Sequence, residues 1–133
     1  MRARQLRKWP YVLPILVLAL ATGYVHRALS EGARQQVVLT PRALRHIQQR
    51  HWPDSSAQGV GKFAVGITEE SLRQMINEAV AYGDSRQNTH GRLGKIYEYD
   101  FGRPIGTRIN GGPASRLRVV ISVSSQVVTA FPF

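Results

Sequence analysis

The chain contains no cysteine, which excludes disulfides and thiolate metal sites. That absence leaves the compartment open, although it suits export, where a free thiol is a liability. Acidic groups are scarce, with 8 Asp and Glu against 18 Lys and Arg and a formal net charge of +10. Such a surplus calls for an anionic partner: nucleic acid, an anionic membrane surface or an acidic protein. Several catalytic signatures are also missing. There is no GxSxG elbow, no Walker loop and no dinucleotide fingerprint. Internal repeats are absent as well, and 133 residues suggest one domain plus a short extra segment.

The charge is placed unevenly. Residues 1–30 hold Arg2, Arg4, Arg7, Lys8 and Arg27 and no acid, so residues 31–133 carry 13 basic groups against all 8 acids. After the first basic cluster, Tyr11 to Val25 runs for about 15 residues without a charge, and residues 9–25 are apolar or neutral throughout. Ala28-Leu29-Ser30 then places small residues suited to cleavage after Ser30. Residues 1–30 therefore read as a cleaved signal peptide or a single-pass membrane anchor through residues 9–25. Both place residues 31–133 outside the cytoplasm, because the leading basic groups stay inside.

Downstream, Val37 to Leu39 is an apolar lead-in and Thr40-Pro41 opens a helix. Ala43, Leu44 and Ile47 form its apolar side, and Pro53 stops it, with an end expected near Arg50. Residues 53–62 read as a loop. A second helix fits 68–83, with Thr68 as N-cap and Gly83 as stop. Asp84 to Arg92 reads as another loop. Strands follow at 95–101, 104–109, 116–123 and 126–133, with an Asn-Gly-Gly turn at Asn110 and a Ser-Ser turn at 124–125. Helices followed by an antiparallel meander give an α+β domain over residues 31–133, with N-terminal helices packed on a C-terminal sheet.

The residues that carry chemistry are basic. His46 and His51 stand five apart in "RHIQQRH", about 140° apart around a continuous helix. They share a site if the helix ends before His51; otherwise each has a structural role as a half-buried or capping histidine. A metal site is not expected, since that spacing misses one helix face and no carboxylate cluster accompanies it. Lys62 ends the "GVGKF" loop as a phosphate contact or a surface lysine. Thr129 and Phe131 share one face of the last strand, where a hydroxyl and a ring can orient and stack on a nucleotide. Arg103, Arg108, Arg116 and Arg118 lie on or near the sheet, and arginine fits phosphate bidentately. No cofactor is called for. Metal-free acid–base chemistry by histidine, assisted by cations, suits RNA cleavage through 2′-OH attack.

The order of "RHIQQRH", "KF", an amphipathic helix, "YEYDFGRPIGT", "RLRVVI" and a terminal "VVTAFP" resembles the bacterial EndoU-like nuclease domains of polymorphic toxins. These belong to the wider barnase–EndoU–colicin–RelE type of metal-independent ribonuclease. The resemblance covers roughly residues 36–133. It implies a small α+β ribonuclease that leaves 2′,3′-cyclic phosphate ends. It implies His51 and His46 as acid–base groups, Lys62 as the electrostatic group, and Thr129 with Phe131 as phosphate and base contacts. The better-known EndoU enzymes space their histidines more widely and set the second in a glycine-rich stretch, so His90 in "NTHGR" rivals His46. Phe131 stands where the family aromatic is often tyrosine. The implied partners are RNA and, where the domain reaches the producer's cytoplasm, an acidic immunity protein. The alternative function is a non-catalytic binding module, anchored or periplasmic, for an anionic ligand or envelope protein.

Overall fold

Thr40-Pro41 starts a helix as expected, but that helix runs further than its sequence suggests. In the computed structural model, which describes residues 35–133, α1 spans Pro41–His51. The Thr40 hydroxyl accepts the Ala43 N–H at 3.2 Å. Pro53 excludes the helical region for the residue before it, so Trp52 is extended (φ −69°, ψ 155°) and caps the helix. His51 is therefore the last helical residue, which corrects the expected end near Arg50. The buried stripe is Ala43, Ile47 and His51, at i, i+4 and i+8; Leu44 is half-buried.

The second helix, α2, spans Glu69–Tyr82, and its Thr68 and Ser71 form a reciprocal capping box. Leu72, Met75, Ile76, Ala79 and Val80 are buried at the helical period, and Gly83 closes the helix on Ala79. Glu69 and Glu70 sit in the first turn, at the positive end of the helix dipole.

Seven strands follow in chain order: β1 (Lys62–Phe63), β2 (Asp84–Asn88), β3 (Gly94–Asp100), β4 (Gly106–Thr107), β5 (Pro113–Ala114), β6 (Arg116–Ser122) and β7 (Val127–Pro132). They form two antiparallel sheets, ordered β2-β3-β6-β7 and β1-β4-β5. The expected single meander is thus divided, because the Asn-Gly-Gly hairpin between β4 and β5 pairs with β1 and not with β3 and β6. Gly111 takes a φ of 84° in that hairpin, which glycine adopts without strain. The expected loop at 84–92 also contains a strand. β2 is polar and almost wholly exposed, so its side chains show no alternation, and backbone pairing with β3 alone defines it.

The expected α+β architecture stands. α2 packs on β3 and β6, and α1 packs on β7. Leu117, Val119, Ile121 and Ala130 are fully or almost fully buried beneath Ile47, Leu72 and Ile76. Val120 pairs with Thr129 and Ile121 with Val127, so Val128 is an extra residue in β7. This bulge resets the alternation. Val127, Ala130 and Pro132 are buried, and Thr129 and Phe131 lie on the opposite, partly open face. Among the described residues no helix is long and apolar enough to cross a membrane. The expected signal or anchor at 1–30 lies outside the described residues.

Candidate active site

The end of α1, the 59–61 loop, the β4–β5 hairpin and the end of β7 enclose a cavity of about 710 Å³. His51 is its most constrained polar group, with only 6% of its surface exposed. Its Nδ1 lies 2.8 Å from the Gly61 carbonyl oxygen. A carbonyl only accepts, so Nδ1 carries the proton and Nε2 holds the lone pair of the neutral ring. Burial lowers the His51 pKa below the ordinary 6.5 and nearby Arg50 and His46 add to this, against the Gly61 hydrogen bond, which raises it. The ring also stacks on Phe131 at 5.2 Å and 21°. One hydrogen bond and one stacked ring thus set the orientation and tautomer of His51.

His46 lines the same cavity, with its ring 6.4 Å from that of His51. The two histidines meet although the helix continues through His51, contrary to the expectation that they share a site only if it stops earlier. Thr129 lines the cavity too, and its hydroxyl is buried without a hydrogen-bond partner.

The loop that holds His51 depends on glycine. A Cβ on Gly61 would lie 2.0 Å from the Pro132 carbonyl oxygen. Only a glycine backbone comes that close to β7 while presenting its own carbonyl to His51.

Cations surround the cavity. Arg50, Arg108 and Arg116 line it. Arg118 is adjacent, its guanidinium 4.4 Å from the Phe133 ring centre and 5.7 Å from that of Phe131. Arg116 sits 4.8 Å from the Phe133 ring. Glu98 ties this group together, accepting from Arg118 at 2.7 Å and Arg86 at 3.3 Å, with Arg116 at 3.5 Å. Burial opposes its ionised form, but hydrogen bonds and attraction from Arg118 and Arg86 outweigh it and lower the Glu98 pKa. Three guanidinium groups share one carboxylate, so this face keeps a positive surplus.

Of the residues expected from sequence, His46, His51, Thr129, Phe131 and Arg108 line one cavity, and Arg118 stands at its side. Lys62 is not in the lining. It begins β1, half-buried, and its Nζ donates to the Ser55 carbonyl. Arg103 is exposed beside Phe101, also outside the lining. His90 lies in the exposed β2–β3 turn, where its ring meets Thr89 Oγ1 at 3.1 Å. Phe131 is placed against His51, so it steadies that ring. Sequence reasoning missed Arg50, Asn110, Phe133 and the Gly61 carbonyl. The Gly-Val-Gly spacing was the one available signal for the close backbone approach.

Among the described residues no three His, Asp or Glu side chains gather as a metal-binding group. No family model, curated protein or solved structure matches the chain.

Proposed function

We propose that residues 31–133 form a metal-independent endoribonuclease of toxin type, exported or membrane-tethered by residues 1–30. The observation that carries this reading is the state of His51. A buried imidazole with Nδ1–H committed to a carbonyl and a lowered pKa presents a basic Nε2 at neutral pH. His46 provides a second titratable ring 6.4 Å away, and Thr129 provides an unpaired hydroxyl at the same cavity.

In the proposed reaction His51 Nε2 takes the proton of an RNA 2′-OH, and the 2′ oxygen attacks the adjacent phosphorus. The bond from phosphorus to the 5′ oxygen breaks, and His46 supplies a proton to that leaving oxygen. The products are a 2′,3′-cyclic phosphate and a 5′-OH. Thr129 Oγ1 donates to a non-bridging oxygen, while Arg50 and Arg108 offset the developing negative charge. Phe133 offers a ring for a base, and the Arg116 and Arg118 guanidinium groups lie 4.8 and 4.4 Å from its centre. An acidic immunity protein is the partner that such a basic cavity invites.

The test is cleavage of a mixed-sequence RNA by the purified full chain. Activity is expected to persist in excess EDTA and to leave cyclic phosphate ends. His51→Ala is expected to lower the rate about 10²–10⁴-fold with the fold intact by circular dichroism. Strict dependence on a divalent ion, or full activity in a folded His51→Ala protein, contradicts the mechanism. The latter result would favour the anionic-ligand binding module.

A further inference from the structure

His46 and Thr129 line a second cavity as well as the first. It measures about 370 Å³ and lies on the other side of them, between the start of α1, the β2–β3 turn and the start of β7. Its cations are Arg42 and Arg92, both exposed and contributed by separate elements. Among the described residues neither makes an ion pair with an acid, as is also true of Arg45, Arg50, Arg103 and Arg108. Two guanidinium groups that line one cavity with no paired carboxylate have donors available to an external anion. The two cavities differ in their apolar lining. The larger has Phe131 and Phe133, and the smaller has aliphatic Ala43, Val127 and Val128 with no aromatic ring besides the imidazole of His46.

We infer that the smaller cavity is a phosphate subsite for RNA beyond the cleaved linkage. The strand crosses the wall made by His46 and Thr129, with a base-bearing nucleotide in the larger cavity and the next phosphodiester on Arg42 and Arg92. The inference rests on the ribonuclease reading and deepens it, because a site entered from two sides takes internal linkages. The unpaired Thr129 hydroxyl fits this path. Its side chain belongs to the wall that both cavities share. The absence of a ring in the smaller cavity assigns it to backbone and not to base, since base recognition uses stacking and backbone recognition uses charge.

The experiment measures binding of the full chain to non-cleavable 2′-O-methyl oligonucleotides by fluorescence anisotropy. A dinucleotide with one phosphodiester is compared with a tetranucleotide. Arg42→Ala/Arg92→Ala is expected to weaken tetranucleotide binding about tenfold or more, as the loss of charged hydrogen bonds requires. The salt dependence should fall by about 0.7 in log–log slope for the one single-strand phosphate that this cavity holds. Dinucleotide binding should stay within about twofold, because its one linkage lies at the shared wall. Arg45→Ala/Lys95→Ala removes the same charge from exposed positions outside both cavities. Equal losses in the two double variants, or equal losses for the two oligonucleotides, overturn the subsite. So does a parent protein that does not bind the tetranucleotide. A parent that binds and shows the length-dependent loss, yet leaves unmodified RNA uncut, refutes the ribonuclease reading and retains the subsite.

Discussion

A single hydrogen bond decides what His51 is able to do. With Nδ1–H on the Gly61 carbonyl, the second nitrogen of the neutral ring carries a lone pair, which the proposed mechanism uses as the base. Its lowered pKa also fixes a direction for pH effects. A histidine whose folded pKa lies below its unfolded value binds more protons when unfolded, so stability rises with pH between the two values. Stability should therefore decline as pH falls below about 6.5, and His51→Gln should flatten that slope in urea titrations. The acid limb of kcat/KM, which requires neutral His51, is expected to have its midpoint below 6.5. A midpoint above 6.5 would assign the essential base to another residue. Thr129 makes the complementary case. Its hydroxyl is buried and unpaired, so Thr129→Val should leave stability unchanged or raise it by up to about 1–3 kcal/mol. The same substitution is expected to reduce cleavage at least tenfold, as the loss of a donor to the phosphate implies. Loss of stability alongside activity would mark the hydroxyl as structural.

At the scale of elements, the site is assembled from ends: the last residue of α1, the last residues of β7, and the loop that precedes β1. Pro53 sets the helix end by holding Trp52 extended. The bulge in β7 puts Thr129 and Phe131 on the partly open face, where Phe131 meets His51 at the end of α1. The close approach at Gly61 joins loop and strand. Gly61→Ala places a methyl against the Pro132 carbonyl, and the backbone must move apart. A destabilisation of about 1–3 kcal/mol is expected from such overpacking, readable as a lower urea midpoint. The Gly61 carbonyl should shift with it, so the acid limb of the pH profile should change as well. A variant with parental stability and profile would show that the loop accommodates the methyl without moving His51.

For the molecule as a whole, charge is divided between two regions, the acid-free residues 1–30 and the mixed-charge residues 31–133. The basic cluster before the apolar run is read as a topological signal, and the arginines of the folded domain as contacts for an anion. We propose on that basis that a reporter fused after Phe133 is active outside the cytoplasm, and cytoplasmic activity of the same fusion would refute export. Within the domain, one open sheet face gathers Arg86, Arg116 and Arg118 around Glu98 beside Phe131 and Phe133. Cross-strand pairing produces this arrangement, since Glu98, Arg118 and Phe131 are directly opposite one another on β3, β6 and β7.

Local interactions are legible in the chain by itself, and they determined both helices, the Thr40 and Thr68 caps, the Asn-Gly-Gly turn and strands β3, β6 and β7. Each depends on residues within about one or two turns of one another, which a sequence displays directly. The edge strand β2 was hidden because its side chains meet solvent on both faces, so no alternation records it. The pairing of the β4–β5 hairpin with β1 was hidden because those strands are two residues long and are defined only by their partners. The candidate site divides in the same way. His46, His51, Thr129 and Phe131 could be singled out by residue type and spacing. Which of them meet, and that Lys62 turns to Ser55 while Arg50, Phe133 and the Gly61 carbonyl join the cavity, was decided by the tertiary structure. Some of these contacts join residues far apart in the chain and others close an irregular loop, and no local periodicity encodes either kind.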